Sequence, residues 1–155
     1  MSISERARAK HQLCDHCPAK ADRSLPQHRR LFGLIRAAHM HWPEKHETFE
    51  PLSEEHLRKW LLCKAGHHTV KTLALADMTA SEAKALLEAA FYAAGAYSFV
   101  KGTAGKVHIF TPKSIAFDKL DHRAACKLFD EIGAVIETEI GIKADELLKN
   151  HEAAA

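Results

Sequence analysis

Apolar positions recur along this chain at two periods, one helical and one extended. Between Ser24 and Trp42, SLPQHRRLFGLIRAAHMHW, the residues Leu31, Leu34, Ile35, Ala38 and Trp42 return every three to four positions and lay one apolar stripe along a helix. Ser24 with Gln27 has capping-box spacing, and Pro26 falls in the first turn, where its missing N–H costs nothing. The pattern predicts a helix near 26–42 that stops at Pro43. Arg29 and Arg36 share a line on the far side of its stripe, with His28 and His39 on one flank and His41 on the other.

The same reading continues downstream. Ser53 caps a helix over 54–65, with Glu54 and Glu55 in the first turn, a buried line of Leu57, Trp60, Leu61 and the Lys64 stem, and Gly66 at its end. HHTVKTLAL is short and β-branched and reads as a strand. Thr79 with Glu82 forms a second capping box, opening a helix over 80–94 that buries Ala83, Leu86, Leu87, Ala90, Phe91 and Ala94. YSFVK, a glycine-bearing GTAG turn and KVHIFT make a hairpin near 97–111. A long helix over 119–140 follows, with Leu120, Ala124, Leu128, Ile132 and Val135 in line, Ile136 and Ile140 beside them, and Gly141 as its stop. DELLKN forms one more short helix, and HEAAA frays. The expected architecture is a single α+β domain over 1–155, a small antiparallel sheet packed by about four helices. Residues 1–23 add a polar arm or half of a zinc site.

Composition narrows the class. A chain of 155 residues with 46% hydrophobic and 27% charged positions is long enough to bury a core without staples. The start, MSISERARAKH, is charged, and no apolar run is long enough to span a bilayer, so the expected location is the cytoplasm, without membrane contact. The formal net charge of +2 is unevenly spread. Residues 1–36 carry eight Lys/Arg against three Asp/Glu, whereas residues 118–155 carry five against nine. A basic front suits docking on a polyanion; a basic tail beside an ordinary solvated acidic helix has the same composition.

Alternation in the hairpin suggests where such docking would occur. Tyr97, Phe99 and Lys101 share one face of the first strand, and Lys106, His108 and Phe110 share one face of the second. If register joins the two sets, aromatics sit between cations, the composition of a single-strand-binding platform. The other outcome is that Phe99 or Phe110 is core beneath a helix. The candidate nucleic-acid-binding residues are therefore Arg29, Arg30, Arg36, Phe99, Lys101, Lys106, His108, Phe110 and Lys113. Cys14-x-x-Cys17, followed by Pro18, has the turn spacing of half a structural zinc site, with His28 or a histidine from 39–46 as a candidate further ligand and Cys63 with His67 as another pair. Without a completing pair, these are inert reduced cysteines and the protein has no cofactor. P-loop, dinucleotide-binding, nucleophile-elbow and HExxH motifs are all missing, which points away from an enzyme.

SLPQHRRLFGLIRAAHMHWPE, with LSEEHLRKWLLCKAGHH and the later GTAGKVHIFTPKSIAFDKLDHRAACKLFDEIG, resembles a family of short phage and prophage proteins over about residues 24–140. More distantly, Ser24, Leu25, Gln27, Arg29, Arg30 and Leu31 resemble the helix opening of the Orf (NinB) recombination mediators of lambda-type phages. That likeness implies a single-stranded DNA-binding accessory protein for recombination or replication in the host cytoplasm, working beside a host or phage recombination protein. The Cys14–Cys17 segment departs from both patterns. A phage protein-interaction module that inhibits or recruits a host factor is the alternative.

Overall fold

The computed structural model describes residues 25–116 and 120–154. Among them the element order is α1 (Leu25–Met40), α2 (Glu54–Lys64), β1 (His68–Ala74), α3 (Ala80–Ala93), β2 (Phe99–Thr103), β3 (Lys106–Pro112), α4 (His122–Ile140) and α5 (Ala144–Ala154). The class is α+β, with one antiparallel sheet in the order β1-β3-β2. The described residues divide into two compact units, those within 1–54 and 114–155, and those of 55–113.

The first unit packs α1 against α4 and α5. The stripe of α1 is buried at Leu31, Leu34, Ile35, Ala37 and Ala38. The helix stops at Met40, short of Trp42. Trp42 instead organises the following loop: its Nε1 donates to the Phe49 carbonyl at 3.1 Å, and its ring lies 4.9 Å from that of His46. The Ser24 half of the expected capping box lies outside the described residues. Gln27 itself is buried, and its amide nitrogen donates to Cys126.

The buried line of α4 runs through Ala125, Leu128, Ile132 and Ile136, flanked by His122 and Cys126. Leu128 and Ile132 sit as expected, but Ala124 and Val135 are only half-buried, so the stripe is rotated from the one spaced back from Leu120. Asp121 caps the helix by accepting from the Ala124 N–H at 2.8 Å. The HEAA segment does not fray within the described residues: α5 continues to Ala154 and buries Leu147 and Leu148.

In the second unit, α3 covers one face of the β2–β3 hairpin, and Ala83, Val100, Val107 and Ile109 form the core with Leu87 and Phe91 against it. Thr79 and Glu82 make the reciprocal capping box that their spacing predicts. Leu86 is 60% exposed, and Ala90 and Ala94 are exposed as well, contrary to the sequence reading. The reason is that the core is only two strands wide: every residue of β1 after His68 is exposed. Gly102 belongs to β2 rather than to the turn. The turn is made by Ala104 and Gly105, the latter at φ 71°, a backbone region that favours glycine.

Candidate nucleic-acid interface

Register decides which side chains the hairpin presents. Across β2 and β3, Phe99 stands opposite Phe110, Lys101 opposite His108, and Thr103 opposite Lys106. Across β3 and β1, Phe110 stands opposite Val70, His108 opposite Thr72, and Lys106 opposite Ala74. Directly opposed residues share a face, so these form one surface. Val100, Val107 and Ile109, which meet α3, form the other. Apart from Tyr97, which precedes β2, the two sets that alternation defined are thus joined on the face away from α3.

That face has two ends of different chemistry. At one end Lys101, Thr103 and Lys106 are exposed around a half-buried His108. Thr72 Oγ1 lies 2.8 Å from His108 Nδ1 and Thr103 Oγ1 lies 3.3 Å from its Nε2, so hydroxyls on both neighbouring strands orient the imidazole. At the other end Phe99 and Phe110 are half-buried. The His56 ring, from α2, stacks on Phe99 at 5.6 Å between centroids and 16° between planes. Tyr97 lies 5.3 Å from the His56 ring, and Tyr92, from α3, lies 6.2 Å from Tyr97. The His68 ring meets Phe110 edge-on at 5.0 Å. Burial lowers the pKa of His56, favouring the neutral ring that stacks there. Phe99, stacked against His56 of α2, and half-buried Phe110 are therefore partly covered rather than bare platforms, and Phe99 belongs to an aromatic cluster that also includes exposed Tyr92.

The three strands carry Lys71, Lys101 and Lys106 and no Asp or Glu. Residues 55–113 together hold eight Lys/Arg against four Asp/Glu. Lys113 follows β3, with its backbone N–H donating to the His67 carbonyl at 3.0 Å.

Comparison of the chain with family models, curated proteins and solved structures gives no match. The arrangement of the residues is thus the basis for reading the site.

The arginines of the candidate set belong to the other unit. Arg30 pairs with Asp145, and Arg36 Nε lies 3.4 Å from Glu54 Oε1, whereas Arg29 is exposed. Within the second unit the structure gathers Lys101 and Lys106 with His108.

Of the proposed zinc ligands, Cys14 and Cys17 lie outside the described residues. The His28 ring lies 4.6 Å from that of Phe32. His46 is turned to Glu139, with Nε2 at 2.5 Å from Oε2. Cys63 directs its thiol to the Phe110 carbonyl at 3.9 Å. Among the described residues no cluster of three or more His, Cys, Asp and Glu side chains is placed to hold a metal. Among them, too, no helix is long and apolar enough to cross a membrane.

Sequence reasoning missed His56, which reaches the aromatic end from a helix some forty residues earlier, and Tyr92, at the end of the helix just before β2. No local spacing signals such a convergence.

Proposed function

We propose that this protein binds single-stranded nucleic acid across the open face of its sheet and acts as a non-catalytic accessory of recombination or replication, as its resemblance to phage proteins suggests. The observation that carries this reading is the register that sets Phe99 beside Phe110 and Lys101 beside His108 on the face away from α3. Bases present π-faces to aromatic rings, and phosphates present charge to lysines, so a strand lying along this face meets both chemistries in order. Strands without acidic residues add no repulsion toward phosphate. Lys101 and Lys106 are exposed, so phosphate contact needs no rearrangement of the core.

Fluorescence anisotropy with a labelled single strand and its duplex at two salt concentrations tests the reading. The expected result is tighter binding of the single strand, with the salt slope lowered by roughly 0.7 for each of Lys101→Ala and Lys106→Ala. Phe110→Ala should lose about 1–3 kcal/mol of affinity with the slope unchanged. Failure to bind a single strand even at low salt would retire it.

The alternative, a protein-interaction module, is favoured by β1. This strand is a sheet edge with exposed Val70 and Leu73, and an edge can accept a strand from a partner.

A further inference from the structure

At the lysine end of the open sheet face, His108 has a hydroxyl against each ring nitrogen. Thr72 Oγ1 of β1 lies 2.8 Å from Nδ1, and Thr103 Oγ1 of β2 lies 3.3 Å from Nε2. Both threonines are exposed, as are Lys101, opposite His108, and Lys106, opposite Thr103. A neutral imidazole has one N–H and one lone pair, so it donates to one threonine and accepts from the other. One hydroxyl proton is therefore turned in toward the ring, and only the other threonine has its proton to spare. An imidazolium has two N–H groups and donates to both oxygens. Both hydroxyl protons are then released toward solvent. Protonation of the ring thus converts two threonines into a pair of outward donors beside two lysines.

The groups around His108 suit an anion. Lys101 of β2 and Lys106 of β3 share its face, and β1 brings Thr72 rather than a titratable group. His56 of α2 and His68 of β1 stand at the far end, against Phe99 and Phe110. The charged residues of α3, Glu82, Lys84 and Glu88, belong to a helix that packs on the opposite face, where Lys71 of β1 also points. The strands carry no carboxylate to compete for the donors.

We propose that Thr72, Thr103, Lys101 and Lys106 form an oxyanion site, and that an anion entering it brings a proton from solvent onto His108. The ligand class is a phosphodiester or another oxyanion of fixed charge, held by two hydroxyl donors and two ammonium groups. For its biological ligand this rests on the single-strand reading above. It adds that Thr72 and Thr103 contact phosphate and that His108 is the positioning residue for both. Because binding takes up a proton, linkage makes affinity rise as pH falls through the range where imidazole changes charge.

A histidine acting only as a third positive charge would give the same sign, so the hydroxyls decide between the two. When either threonine lacks its oxygen, the neutral imidazole adopts the tautomer that donates to the remaining hydroxyl. That hydroxyl proton is then free without any proton uptake. The pH dependence disappears although His108 is still in place. A point charge would keep it.

The test measures binding of a labelled oligothymidylate, whose phosphodiesters keep their charge, by the full-length protein at about pH 8 and about pH 5.5 and one ionic strength. His108→Gln keeps one donor and one acceptor but takes no proton, so its change with pH is the baseline set by the other histidines. The parent should gain about tenfold in affinity beyond that baseline at the lower pH. Thr72→Val and Thr103→Val, both well suited to a strand, should each fall to the baseline. Equal gains in the parent and both threonine variants, or a parent gain no larger than that of His108→Gln, would overturn the proposal and leave the single-strand reading standing. If oligothymidylate binds at neither pH, sulfate replaces it as the probe at constant ionic strength. The NMR titration midpoint of the His108 ring should then rise with sulfate in the parent and stay fixed in Thr72→Val. Such a rise upholds the oxyanion site while the single-strand reading falls; its absence overturns both.

Discussion

Gly102 of β2 lies so close to Ala80 of α3 that a Cβ built on it would stand 2.7 Å from the Ala80 Cβ. Real Cβ atoms do not approach this far, so the missing side chain is what lets the helix start settle on the strand. Gly102→Ala is therefore expected to cost about 1–3 kcal/mol, the range for overpacking a tight contact. Urea denaturation measures it. Ala80→Gly in the same chain should recover part of the loss, because it removes the opposing atom, and the non-additivity of the pair locates the contact.

The start of α3 is a second place where one side chain matters. Thr79 Oγ1 accepts from the Glu82 N–H at 3.2 Å, and Glu82 Oε2 accepts from the Thr79 N–H at 3.0 Å. Thr79→Ala should destabilise by about 0.5–2 kcal/mol. The backbone and side chain of Thr79 together hold the Glu82 carboxyl below its usual 4.5. A depressed acid contributes stability that is present above 4.5 and lost as pH falls through the lower folded value. A carboxyl titration by NMR should show Glu82 below 4.5 in the parent and closer to it in Thr79→Ala.

The facing of α1 is tested by ranking three neighbours. Leu34 and Ile35 are buried, and either change to Ala should cost about 2–5 kcal/mol. Arg36, paired with Glu54 across an exposed surface, should cost well under about 1 kcal/mol when changed to Ala. Denaturation midpoints in the reverse order would mean that the helix faces the other way.

His46 holds the loop after α1. Its Nδ1 accepts from the backbone N–H of Phe49 at 3.1 Å and of Thr48 at 3.3 Å, which leaves Nε2 to donate to Glu139. His46→Ala strips acceptors from two N–H groups and should cost about 1–3 kcal/mol, with faster amide exchange at Thr48 and Phe49. Glu139→Gln should cost less, because an amide oxygen still accepts the Nε2 proton. In a Trp60→Phe background, Trp42 emission should shift to the red in His46→Ala, since the ring loses its neighbour.

Much of the fold was legible from short-range chemistry. The Thr79–Glu82 box, the stripe through Leu31, Leu34 and Ile35, and the alternation of Phe99, Lys101, Lys106, His108 and Phe110 are all periodic signals within one element. Each element forms largely where its own spacing places it, because capping and burial of one face are decided over a few residues. The His122–Cys126 spacing was equally visible in the chain, but the contact of Gln27, 99 positions away, with the Cys126 sulfur was not.

What tertiary structure alone decided depends on partners far apart in the chain. Alternation cannot say whether Phe99 pairs with Phe110 or with its neighbour, since a one-residue slip turns every side chain to the other face. Only the assembled sheet, with Val100 and Ile109 drawn beneath α3, settled that Lys101 and His108 face outward together. Leu86 has an apolar side chain on a helical period and is still exposed, because the core beneath α3 ends before β1. The chain's own pattern determines which positions seek burial; the width of the surface they meet determines which of them find it.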